Sequence, residues 1–188
     1  NDKSNTVWSD GTTADRSYAW SITKATIDLD GIYYWTGETL YTYDGQEHGV
    51  TLVQPEEMPA GITAVTVTGT TGTAAGDYVA KVTFAYDSAN YEAPVLADCP
   101  WSIEKATVAI PTATVTFVYD GSEKTAVAAV EGVYGVVDGT KTAVGTYTAV
   151  AGLLDKSNYV WSDGTTADRS YAWSITKATI DIDGIYYW

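Results

Sequence analysis

Residues 2–35 are written a second time as residues 155–188, with two changes, Thr6 against Tyr159 and Leu29 against Ile182. Whatever this chain folds into has to house one peptide twice, 153 positions apart. Self-similarity at a long fixed period marks repeat architectures, in which each unit stacks on its neighbours. Drift erodes duplicated segments, so near identity at this length implies a recent tandem copy. A chain that starts and stops on the same phrase then reads as one period of a longer array plus its overlap.

Inside that phrase the side-chain pattern is that of strands. Asp10-Gly11 is a turn dipeptide, and Tyr18, Trp20 and Ile22 alternate with Ala19, Ser21 and Thr23, the period of a half-buried strand. This predicts the closing hairpin of a β domain. After Lys24 the alternation changes phase, because Ala25, Ile27 and Leu29 stand at odd positions where the preceding apolar residues stood at even ones. A one-residue slip turns every side chain to the opposite face, so the flip marks one domain ending and the next beginning without a linker. The flip recurs where Trp101 and Ile103 give way to Ala106, Val108 and Ile110, and where Trp173 and Ile175 give way to Ala178, Ile180 and Ile182.

These boundaries predict the C-terminal part of an incomplete domain at residues 1–23, complete domains at 24–104 and 105–176, and the first strand of a further domain at 177–188. Both complete units carry the same landmarks in the same order. Tyr43-Asp44-Gly45 matches Tyr119-Asp120-Gly121, Gly76-Asp77-Tyr78 matches Gly145-Thr146-Tyr147, and Asp87-Ser88-Ala89-Asn90-Tyr91 matches Asp155-Lys156-Ser157-Asn158-Tyr159. The units are divergent copies of one domain. Short runs rich in Val, Thr and Tyr, separated by turns and without a sustained helical period, predict an all-β sandwich. The longest helix candidate, residues 125–130, is too short and too rich in Val and Ala to carry weight.

Charge narrows the partners. Twenty-four Asp and Glu against ten Lys and Arg give a net charge of −14, a field that repels phosphate backbones and anionic membrane surfaces. Nucleic acid is therefore not an expected partner. No apolar run reaches the roughly 20 residues of a spanning helix, so membrane insertion of this segment is not expected either. With one cysteine, Cys99, no disulfide forms within the chain.

The order Y-D-G, then G-x-Y on an alternating strand, then D-x-x-N-Y, then W-S-I-x-K-A resembles the MBG-type Ig-like domain repeats of large bacterial surface and secreted proteins. The resemblance covers nearly the whole chain, with one departure, a longer middle at residues 54–64 of the first unit. It implies tandem Ig-like β-sandwiches with minimal linkers, an extracellular or cell-surface location, and a spacer or adhesion role without a shared active site. In such sandwiches a tyrosine after a glycine turn can bond its hydroxyl back to the preceding corner, and Tyr78 and Tyr147 occupy that place. The Cys…Trp…Cys framework of antibody domains is absent, which leaves Trp101 and Trp173 to be held by packing.

Candidate chemistry is sparse. His48 and Cys99 have no counterparts in the second unit and assemble no nucleophile–base set, so the chain is read as a non-enzyme, His48 as a solvated loop residue and Cys99 as a small packing residue. The sharpest polar pattern is Asp28-x-Asp30, copied as Asp181-x-Asp183, whose carboxylates share the outer face beside a boundary and could take part in holding Ca²⁺. A solvated strand rim is the plainer reading. Tyr33, Tyr34 and Trp35 cannot all face one core, so at least Tyr34 should point outward, to meet either a neighbouring domain or a sugar face. Lys24, Lys105 and Lys177 recur at the boundaries, where solvent exposure argues against a Lys–Asn cross-link. The expected role is a structural repeat of a bacterial fibre or stalk, its partners neighbouring copies in one chain or by strand exchange. The alternative is an adhesin-type module for glycan or host protein.

Overall fold

The computed structural model describes residues 3–181. The protein is all-β, and no helix forms among the described residues. The first group of strands comprises β1 (Tyr34–Thr36), β2 (Leu40–Thr42), β3 (His48–Gly49), β4 (Thr51–Val53), β5 (Ile62–Thr68), β6 (Thr71–Gly72), β7 (Gly76–Tyr86) and β8 (Cys99–Glu104). The second comprises β9 (Ala106–Val108), β10 (Thr116–Val118), β11 (Lys124–Thr125), β12 (Tyr134–Val137), β13 (Thr140–Lys141), β14 (Gly145–Leu153), β15 (Tyr159–Trp161) and β16 (Arg169–Thr176). Each pairing among these strands stays within one group.

Both groups build the same four-stranded sheet. Its order is β2-β8-β7-β5 in the first and β10-β16-β14-β12 in the second. The outer strand runs parallel to the closing strand, and the other two pairings are antiparallel. A two-residue ladder accompanies each sheet, β3 with β6 and β11 with β13. Next to the boundary, β9 pairs in parallel with β15, and the first group repeats that contact as a single parallel bridge between Ala25 and Tyr91.

Alternation decides which face is buried. Along β14, Ala149, Ala151 and Leu153 are buried while the threonines between Gly145 and Ala149 are exposed, as expected where one face of a pleated strand meets a core. The fully buried alanines Ala80 and Ala149, each two residues after a corner tyrosine, leave room for an indole. Trp101 and Trp173 fill it, each between an aromatic ring from the parallel outer strand and the corner tyrosine. Trp101 lies edge-on to Tyr41 and stacks on Tyr78, and Trp173 lies edge-on to Phe117 with Tyr147 tilted across it. Burying a side chain of this size is worth about 2–3 kcal/mol before packing is counted. In the first group, a second cluster of Ile27, Leu29, Tyr33, Leu52 and Ile62 packs on the inner side chains of β5 and β7.

Several expectations change. Residues 3–23 form no strand, and the Tyr18–Trp20–Ile22 face is open, because among the described residues no strand lies beside it. Residues 125–130, as expected, form no helix: they are a strand end, a bend and the Val130–Tyr134 bridge. Val115, Phe117 and Tyr119 alternate in sequence with Thr116 and Val118, yet β10 covers only Thr116–Val118 and both Val115 and Tyr119 are exposed. His48 is not in a solvated loop: it belongs to β3, stacks on Tyr41 at 4.4 Å, and meets the Asp44 carboxylate at 2.8 Å. No helix among the described residues is long and apolar enough to cross a membrane.

Candidate functional site

Seven of the aspartates close turns. At four Asp-Gly turns the glycine has a positive φ of 80–85° (Gly11, Gly45, Gly121, Gly164), a conformation that side-chain-bearing residues adopt only at a cost. In each, an oxygen of the aspartate accepts the backbone N–H two residues on, from Thr12, Gln46, Ser122 and Thr165. Asp87 and Asp155 do the same for Ala89 and Ser157. A carboxylate accepting such bonds favours its charged form. The Thr12 and Gln46 amides accordingly draw Asp10 and Asp44 below the usual carboxylate range, and the Asn90 and Asn158 side chains do so for Asp87 and Asp155.

Asp28 belongs to this class, since its carboxylate accepts the Asp30 N–H at 3.0 Å. Both residues are exposed, with Ile27 and Leu29 buried between and before them. Asp181 is exposed, and Asp183 lies outside the described residues. No group of three or more His, Cys, Asp or Glu able to hold a metal is found among the described residues.

The three consecutive rings part company. Tyr33 is in the core, its hydroxyl buried without a hydrogen-bond partner, and burial pushes its pKa up. Tyr34 is 49% exposed. Trp35 lies between two apolar clusters and donates its indole N–H to the Ala97 carbonyl. The tyrosines at the corners send their hydroxyls back four residues, Tyr78 to the Ala74 carbonyl and Tyr147 to the Ala143 carbonyl, both at 2.7 Å. The indoles of Trp101 and Trp173 donate to the carbonyls of Gly69 and Asp138.

The arrangement with most consequence is the joint between the two groups. β8 ends at Glu104 and β9 starts at Ala106, so one residue, Lys105, separates them. Across the joint the Ala75 N–H donates to the Asn158 side-chain oxygen at 2.7 Å. Asn158 is oriented for this by its own turn, its amide nitrogen donating to the Asp155 carboxylate at 2.6 Å. The Tyr43 and Tyr159 rings meet edge to face at 5.4 Å. Lys105 donates to the Lys156 carbonyl at 2.7 Å, and a shallow cleft of about 540 Å³ runs between Asp77 and Val160. Lys24 and Lys177 are exposed.

Sequence reasoning singled out the Y-D-G and D-x-x-N-Y phrases as landmarks but did not bring them together. The available signal was that both phrases recur once per unit. Compared with protein-family models, with curated proteins and with solved structures, the chain matches none of them.

Proposed function

We propose that this chain is one period of a tandem array of small Ig-like β-sandwiches, a non-catalytic structural repeat of a bacterial extracellular or cell-surface fibre. The observation that carries this reading is the joint. A single intervening residue, a side-chain-to-backbone hydrogen bond and a ring contact leave little freedom between successive units, which is what a spacer requires. The identical strand orders support two copies of one domain. The hydroxyl-to-carbonyl bonds of Tyr78 and Tyr147 are of the tyrosine-corner kind that Ig sandwiches carry, and both units bury a tryptophan at the same place on the closing strand. They agree with the resemblance to MBG-type repeats.

Residual dipolar couplings test the stiffness directly. Amides of residues 34–104 and 106–176 should fit one alignment tensor, and Asn158→Ala should split it into two without unfolding either unit. Independent tumbling of the units in the unmodified chain would remove the spacer reading. The exposed Tyr34 ring favours a second reading, an adhesin surface for glycan. Glycan-array binding that disappears in Tyr34→Ala would favour it over the spacer, and a chain that binds no glycan would discard it.

A further inference from the structure

We propose that residues 3–23 are a strand donor, and that the acceptor is the 105–153 sheet of a second copy of this chain, in the slot between β10 and β14 that β16 fills. The inference rests on reading the chain as repeats and names which surfaces meet. Its first support is that the same peptide is seen seated. Residues 156–176 differ from residues 3–23 only at Tyr159. There Trp173 and Ile175 are each 2% exposed, whereas their equivalents Trp20 and Ile22 are 81% and 85% exposed.

The second support is that the donor's corner already has the seated conformation. Trp8 N–H donates to the Thr12 carbonyl and Gly11 N–H to the Trp8 carbonyl, as Trp161 and Gly164 do with Thr165 and Trp161, all at 2.8 Å. The Trp8 indole reaches the Ala14 carbonyl at 2.8 Å as the Trp161 indole reaches Ala167 at 2.9 Å. Lys3 pairs with Asp15 as Lys156 pairs with Asp168, and Arg16 with Asp10 as Arg169 with Asp163. Yet Trp161 is fully buried beside Tyr134, while Trp8 borders an open cleft of about 300 Å³. A preformed donor spends less ordering entropy on docking.

In the slot, strand 16–23 would run parallel to β10 and antiparallel to β14, as β16 does. Trp20 would lie between Phe117 and Tyr147 with its indole N–H on the Asp138 carbonyl. Donor and resident make equal contacts, and the resident is tethered, so its effective concentration keeps the slot in the unmodified chain. Exchange shows when the resident is weakened.

The test is the full chain carrying Trp173→Ala and Ile175→Ala, followed by sedimentation velocity and hydrogen exchange. Concentration-dependent head-to-tail oligomers, with new amide protection at residues 17–23, are expected. Adding Trp20→Ala and Ile22→Ala should return monomers. A double variant that stays monomeric overturns the proposal, as do oligomers that survive the quadruple substitution. The alignment-tensor experiment is made on the unmodified chain, so a stiff joint with no exchange would sink the donor alone, and exchange with a loose joint would sink the spacer alone.

Discussion

Residues 8–23 and 161–176 are one sequence in two surroundings, and they diverge at a definite point. Through the corner, residues 8–16 and 161–169, the two make the same turn hydrogen bonds and the same Arg–Asp pair. Beyond it, residues 170–176 form most of β16 while residues 17–23 form no strand. The corner is local: the Asp-Gly dipeptide and an Asx bond two residues on supply its geometry wherever it stands. The strand is not, since its hydrogen bonds and its apolar face are satisfied by β10 and β14, residues twenty to sixty positions away. Alternation in a sequence therefore states what a segment can become, and neighbours decide whether it does.

The largest expected contrast is between the two tryptophans of this phrase. Trp173→Ala removes a buried indole and should destabilise the second unit by about 3–5 kcal/mol, whereas Trp20→Ala should change unfolding by less than about 0.5 kcal/mol. Urea denaturation of the two variants checks this, and equal losses would mean that residues 17–23 are packed in solution. A smaller contrast lies one turn of the pleat away. The Tyr171 hydroxyl donates to the Pro111 carbonyl at 2.7 Å, so Tyr171→Phe should cost about 1 kcal/mol and Tyr18→Phe nothing measurable by the same assay.

The smallest contrast is in pH dependence. Backbone amides of Thr165 and Thr12 hold Asp163 and Asp10 below the usual carboxylate range. A group whose folded pKa is depressed contributes stability above its unfolded pKa and loses it as pH falls through the folded value. The second unit should thus melt progressively lower below about pH 4. Asp163→Asn should flatten part of that slope and Asp10→Asn none of it, because the Asp10 corner is attached to no folded sheet. Thermal melts across that range decide the matter.

Much of the fold was legible from residues because its signals are local or periodic. The phase change at Glu104-Lys105 falls where β8 gives way to β9, and alternation along 145–153 matches the buried face of β14. What stayed hidden depended on partners that a one-dimensional pattern does not mark. The parallel pairing of β2 with β8 and of β10 with β16 joins segments about sixty residues apart and leaves no pattern in either. The ring of His48 reads as solvated until Tyr41 and Asp44 are seen around it. The Asn158–Ala75 bond was invisible for the same reason, spanning 83 positions between two turns that each look self-sufficient. The Asp28-x-Asp30 pair invited a cation, and in the fold the Asp28 carboxylate accepts the Asp30 N–H as the Asp44 carboxylate accepts the Gln46 N–H.

The parallel pairs have a consequence under tension. When the chain is pulled along its length, the second unit is loaded at Lys105 and at Thr176, so β9 is first drawn against its parallel partner β15, and once that pair yields β10 is drawn one way and β16 the other along a common axis. Thr116, Phe117 and Val118 stand opposite Ser174, Ile175 and Thr176, and their hydrogen bonds then share the force and must rupture together instead of opening one at a time like a zip. β2 and β8 place the same clamp in the first unit. Each unit thus resists stretching where the load enters and leaves it.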